Sequence, residues 1–196
     1  MNELIAKIEQ WAEDRNIIQG SKPLDQAMKL FSEFGELADN VGKGRDCRDD
    51  IGDCMVVLII MCRQLGIPTI DLIQKDDDNY SMKEYVSWAG YWMCSWVSSG
   101  MRNSEELGFI FSNLINIAQL NSYTLEECVT IAYNDIKDRK GLMHNGVFIK
   151  ESDPAYAPVV AAIESNCTID GDALDNIEAD KRMATQKRIS VNLEDL

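Results

Sequence analysis

Nine consecutive apolar residues, Cys54–Cys62 (CMVVLIIMC), constrain this chain more than any other feature. The run is too short to cross a bilayer, which takes about twenty residues. An α-helix that is apolar all round must instead be buried inside protein. Asp50 and Asp53 precede the run, and at helical spacing they lie in line with Val57 and Ile60. A stripe that starts with two carboxylates therefore continues straight into a core. Carboxylates at the edge of a core cost several kcal/mol if left unpaired. They need a partner, and a divalent cation is one.

The remaining pattern is helical almost throughout, which predicts an all-α bundle. Leu4, Ile5, Ile8, Trp11 and Ala12 recur at helical spacing in a first helix over about 3–15. Ser21 or Lys22 stands before Pro23 at the start of a second helix reaching about Val41. Gly42 and Gly44 end it, and a third helix runs from about Cys47 to Leu65. A short helical turn over Thr69–Lys75 leads into the acidic loop KDDDN. Three more helices are predicted over about 81–98, 104–120 and 124–139, with Ser104 and Thr124 as N-caps of the last two. Asn145-Gly146 marks a short hairpin. Beyond Pro154 only Val159–Ile163 is apolar, and 168–196 reads as a loosely ordered tail or a segment that docks on a partner.

An internal echo links DDIGDCMVVLIIMCRQLGIPTIDL with EELGFIFSNLINIAQLNSYTLEEC, where Phe109 stands in the place of Asp53. It suggests a duplicated bundle half that has lost its carboxylates. Trp88, Trp92 and Trp96 recur every fourth residue beside Tyr85 and Tyr91, a row expected to be core or subunit interface.

Composition excludes several function classes. A net charge of −14 with no basic patch argues against a nucleic-acid polymer as partner, though not against a single nucleotide. The six cysteines form no CxxC pair, so a zinc site is not expected and a reduced, cytoplasmic chain is. The single histidine, His144, sits in a predicted loop, which removes Ser-His-Asp, Cys-His and Glu-x-x-His di-iron chemistry. No P-loop or GxGxxG is present to cradle phosphates.

What remains is carboxylate chemistry. Residues 33–53 hold seven acidic side chains, of which Glu33 with Glu36 and Asp50 with Asp53 form two pairs at i, i+3. Asp39 and Asp46 read as solvated charge, and Asp49 stays undecided. On the second helix Lys29, Glu33, Glu36 and Asn40 form one stripe, with Gln26 alongside, apart from the apolar stripe. A helix with two such faces packs on two sides, which points to a homodimer or homotetramer. Oxygen-only ligands suit Mg²⁺ or Mn²⁺. Asn134, Lys137, Arg139 and Lys140 cluster at the end of the last predicted helix and make a candidate phosphate grip.

The segment LDQAMKLFSEFGELADNVGKGRDCRDDIGDCMVVLI resembles the core of the MazG-like all-α nucleoside triphosphate pyrophosphohydrolases. ECVTIAYNDIKDRKGLMHNGVFIKE resembles their C-terminal segment. The likeness covers about 8–67 and 124–151. It implies a domain over 1–151, with about 73–122 a helical insertion or degenerate repeat and 152–196 an extension. It also implies Mg²⁺-dependent cleavage of a nucleoside triphosphate to monophosphate and pyrophosphate. Glu33 and Glu36 match the first acidic motif and Asp50 and Asp53 the second; all four are expected on the metal, and Glu33 or Glu36 on the attacking water. Ser32 occupies the place of the first motif's leading Glu, and Asp49 competes with Asp50. Lys29, Asn134, Lys137, Arg139 and Lys140 match phosphate- or nucleotide-contacting positions, and base choice is expected from Trp11 or the insertion. The alternatives are an enzyme of narrow base choice, like the dimeric dUTPases or dCTP pyrophosphatases, and a nucleotide-binding helical regulator without turnover.

Overall fold

The computed structural model describes residues 1–75 and 79–164. The acidic loop residues 76–78 and the expected tail, 168–196, lie outside the described residues. The described chain is mostly helical, as the periodicity requires: α1 (Asn2–Asp14), α2 (Ile17–Gly20), α3 (Pro23–Lys43), α4 (Arg48–Leu65), α5 (Met82–Ser98), α6 (Ser104–Leu120), α7 (Leu125–Ile136) and α8 (Tyr156–Glu164). A 3₁₀ turn covers Thr69–Leu72, and the only strands among the described residues are β1 (Gly141–His144) and β2 (Val147–Lys150). The chain forms two units, Met1–Asp153 and Pro154–Leu196. In the second, α8 carries Pro158 in its first turn, where a missing N–H breaks no helical bond.

In the first unit, α4 is the central element. Every residue from Asp50 to Cys62 is buried except Asp53. α3 packs on one side of α4 and α7 on another, while α1 crosses both α4 and α7. The hairpin of α5 and α6 joins through contacts of α5 with α3 and of α6 with α4. Gly52 permits the closest of these approaches. A Cβ there would sit 2.2 Å from the Cys128 carbonyl oxygen and 2.8 Å from the Ala132 Cβ of α7.

The helix ends follow local chemistry. At the start of α3 the Lys22 N–H donates to Asp25 at 2.7 Å, and Pro23 fills the first helical position. At α6 the cap is Asn103, not Ser104: its side chain accepts from the Glu105 N–H at 3.0 Å. α7 stops at Ile136, three residues short of expectation. There Arg15, the C-cap of α1, donates Nη2 to the Lys137 carbonyl (2.9 Å) and Nε to the Arg139 carbonyl (2.6 Å), drawing the chain out of the helix. β1 and β2 pair antiparallel around Asn145 (φ 48°) and Gly146 (φ 78°), the two left-handed positions of a tight hairpin. The aromatic row divides: Trp96 is fully buried, Trp92 half-buried and Trp88 exposed.

Candidate active site

Four segments enclose a cleft of about 820 Å³, within the range of small-molecule sites. α3 contributes Gln26, Lys29, Glu33 and Glu36, and α4 contributes Asp53, Val56, Val57 and Ile60. The exit of α7 adds Arg139 and Lys140, and the hairpin adds Met143, Phe148 and Lys150. Trp11 and Ile17 complete the lining. The lining thus combines carboxylates, cations and apolar side chains.

These segments meet through named bonds. Trp11 donates Nε1 to the Ile136 carbonyl at 2.9 Å, and the Arg15 guanidinium lies over its ring at 4.9 Å. The Met143 N–H donates to the Arg15 carbonyl, and Asn16 Nδ2 donates to the Met143 carbonyl. Gly146 N–H donates to the Gly20 carbonyl at 2.8 Å. The hairpin is therefore tied to the turns around α2 and holds Phe148 and Lys150 against the cleft.

Glu33 is buried and ion-paired with exposed Lys29 one turn before it. Asp53 is pushed up to about 7, first by burial and then by the negative charges of Glu33 and Asp49; Lys29 and Arg139 oppose the shift. Asp49 is raised for the same main reason, with Asp135, Asp50 and Glu33 adding to burial. The Cys54 thiol, fully buried, is raised well above its usual range. After burial its strongest influences are Glu33, Asp53, Asp50 and Glu36, so all four carboxylates lie within electrostatic reach of one sulfur.

Not every predicted residue reaches the cleft. Glu33, Glu36, Asp53, Lys29, Arg139 and Lys140 line it. Asp50 lies behind, buried, and accepts a 2.7 Å bond from Asn40 Nδ2. Asn134 and Lys137 are exposed and bond to each other, with Lys137 Nζ 2.9 Å from Asn134 Oδ1. Unwinding beyond Ile136 separates them from Arg139 and Lys140. Ser32 lies with Glu36, Asp39 and Asn40 along a neighbouring depression of about 360 Å³. Asp39 is exposed and paired with Lys43 and Arg45, and Asp46 is held down to about 2 by Arg48.

The sequence reading missed Arg15, Asp25, Phe148 and Lys150. For the last two a signal existed: once Asn145-Gly146 is a two-residue turn, alternation along β2 puts Phe148 and Lys150 on one face. For Arg15, which works through carbonyls 122 and 124 residues away, none did.

The all-oxygen donor set suits a hard divalent cation. Among the described residues no three His, Cys, Asp or Glu side chains converge closely enough to hold one. Lys29 occupies Glu33 and Asn40 occupies Asp50, so those oxygens would have to be released to share an ion.

No family model matches the chain, and no solved structure matches it. Over 72 residues it is 46% identical to an uncharacterized 18.2 kDa protein in the rep-hol intergenic region of Haemophilus phage HP1 (strain HP1c1). The matched stretch is 36% of this chain and spans less than half, 44%, of the phage protein.

Proposed function

We propose that this cleft hydrolyses nucleoside triphosphates to a monophosphate and pyrophosphate. The observation that carries the reading is the shared location of Glu33, Glu36 and Asp53 with Lys29, Arg139, Lys140 and Lys150 in one cleft of about 820 Å³ that apolar side chains also line. Glu33, Glu36 and Asp53, with Asp50 behind them, would hold a Mg²⁺ or Mn²⁺ ion once Lys29 and Asn40 release their oxygens, and the ion would supply charge neutralisation on the triphosphate. The four cationic side chains take the phosphate oxygens and align the scissile anhydride. Glu33 or Glu36 orients a water for in-line attack and takes its proton. Trp11, Phe148 and Ile60 hold the base and keep bulk water out. No helix of the described residues is long and apolar enough to cross a membrane. We infer a cytoplasmic chain from the nucleotide chemistry, and a homodimer or homotetramer from the two-faced α3 and the aromatic row.

The test is a panel of nucleoside triphosphates incubated with Mg²⁺, with products separated by chromatography. Pyrophosphate and monophosphate are expected, and Glu36→Gln or Asp53→Asn abolishes both while the helical spectrum survives. Full activity in both variants would overturn the assignment.

A second reading, nucleotide binding without turnover, draws on the absence of a converged carboxylate trio among the described residues. It requires Mg²⁺ and nucleotide to raise the melting temperature with no product formed.

A further inference from the structure

Gln26 lines the first cleft as an amide of which only one half is committed. It stands on α3 in line with Glu33, two turns on, and is buried at 6% exposure. Its Nε2 donates to Ser21 Oγ at 2.9 Å. The Ser21 hydroxyl gives its own proton to the Ile17 carbonyl at 2.7 Å. Ser21 Oγ can therefore only accept, and it also accepts from Gln64 Nε2 at 3.1 Å. Turned over, the Gln26 amide would set two acceptors against each other. Ser21 thus dictates which way round the amide stands, with Oε1 on the side away from it. Among the described residues nothing donates to Gln26 Oε1, and that atom is not sealed from solvent. A fixed, unused acceptor is presented to the cleft.

Packing does not require an amide at this place, as the hairpin α5–α6 shows by repeating α3–α4. Each first helix starts with a backbone N–H bonded to the carboxylate three residues on, Lys22 to Asp25 at 2.7 Å and Ser81 to Glu84 at 2.8 Å. Those anchors set Glu33 on Trp92, and Gly52 set on Gly108 puts Asp53 on Phe109. Asn40 donates to Asp50 at 2.7 Å where Ser99 donates to Glu106 at 3.4 Å. At the corresponding place α5–α6 holds a smaller cleft of about 150 Å³, walled by Trp88, Trp92 and Phe109. The counterpart of Gln26 is Tyr85, a buried aromatic of the core. One hairpin fills this register with a ring, and the other keeps an amide whose carbonyl has no partner among the described residues. Such a cost is retained at functional sites.

We propose that Gln26 determines base choice, and that the substrate is a nucleoside triphosphate whose base is cytosine or adenine, selected through its exocyclic amine. The inference rests on the hydrolase reading for the placing of the phosphates. Two helical turns put Gln26 about 10 Å along α3 from Glu33, the reach from a metal-bound phosphate to the far edge of a base. Asp25, its neighbour in the same turn, lines the same cleft. Its Oδ2 takes the Lys22 N–H, and a Cβ at Gly146 would come within 3.0 Å of the carboxylate, so the group is held between α3 and the β-hairpin. Asp25 Oδ1 and Gln26 Oε1 are two neighbouring acceptors. An amine has two N–H groups to give them, whereas a carbonyl in its place is repelled by both. Uracil and hypoxanthine carry that carbonyl where cytosine and adenine carry the amine. Ser21 is the positioning residue, since it holds the amide the right way round.

The test compares the full chain with Mg²⁺ on two pairs of deoxynucleoside triphosphates, cytosine against uracil and adenine against hypoxanthine. Within each pair the base differs by the exchange of amine for carbonyl. A kcat/KM at least about tenfold higher is expected for the amine member. Gln26→Met keeps the side chain's length, and Gln64 still donates to Ser21 Oγ. It brings the ratio towards parity by lowering the amine member more than the carbonyl member. Ser21→Ala lets the amide turn over and lowers the ratio by raising the carbonyl member instead. Calorimetry with the four monophosphates reads the same preference without turnover. Absence of hydrolysis would sink the hydrolase reading alone, and the monophosphates would still decide base choice. Equal use or binding of both members, preference for the carbonyl member, or a ratio unmoved in either variant would each overturn the proposal. So would a chain that neither hydrolyses nor binds any member.

Discussion

The hairpins α3–α4 and α5–α6 share register, capping and a buried second helix, yet differ almost wholly on one face. α3–α4 presents Glu33, Glu36 and Asp53 with Lys29; α5–α6 presents Trp92, Ser95 and Phe109 with Trp88. Because the second hairpin packs without those carboxylates, the fold does not require them. The burial of Glu33 and half-burial of Asp53 in the first is a cost, visible in the raised Asp53, and a cost without a structural return points to a ligand. The comparison also locates what is structural. Gly52 and Gly108 hold the same register, but only Gly52 lies against a third helix.

The largest effect expected from breaking this comparison is at Gly52. A methyl group there would overlap the Cys128 carbonyl, which belongs to backbone and cannot swing away. Gly52→Ala should therefore force α4 and α7 apart, costing about 3 kcal/mol or more in chemical denaturation. It should also reduce triphosphate hydrolysis, since Arg139 and Lys140 follow α7.

Next is the pH dependence of stability. A carboxyl near 4 in the unfolded chain and about 7 when folded binds more protons in the native state between those values. Its contribution is fully present below the unfolded value and is lost as pH rises through 7. Asp49 acts with the same sign. Asp53→Asn should come closest to the wild type below about pH 4 and melt several degrees higher at pH 8. Mg²⁺ should raise the wild-type melting temperature more at pH 8 than at pH 5. A flat wild-type profile would break the claim that α3–α4 carries the costlier face.

A smaller effect tests the lock that only the first hairpin has. Trp11→Phe keeps the ring but removes the bond to the Ile136 carbonyl, costing about 1 kcal/mol. Thermal melting reads that loss. KM for a triphosphate should rise more than kcat falls, because the exit of α7 loosens while Glu33 and Glu36 stay in place.

How much of this was legible beforehand follows from range of interaction. The burial of α4, the two-faced α3 and the Asn145-Gly146 hairpin are local patterns, and the sequence carries them plainly. Glu33, Glu36 and Asp53 could be placed together because helical spacing fixes each helix's face. The division of cations was not legible: Lys137 and Asn134 turn away, and Lys150 turns in, because Trp11 of α1 and its C-cap Arg15 act across the chain at the end of α7. α2, at four residues, has too little periodicity to announce itself and is held by its neighbours. The echo was visible between α4 and α6, where apolar residues persist. It was hidden between α3 and α5, where charged and aromatic side chains share no hydropathy.

The smallest prediction is a gain. Among the described residues, a Cβ at Gly108 would meet no atom within 4 Å, whereas one at Gly52 would meet α7. Glycine in a helix interior lies about 0.5–1 kcal/mol below alanine, through the entropy it keeps when unfolded. Gly108→Ala should therefore stabilise the chain by up to about 1 kcal/mol in denaturant melts. The same substitution at the equivalent position of α4 is the most damaging change considered. If both variants shifted stability in one direction, the register that equates Gly52 with Gly108 would be wrong. With it would fall the pairing of Trp92–Phe109 with Glu33–Asp53, since that register alone sets the two clefts side by side.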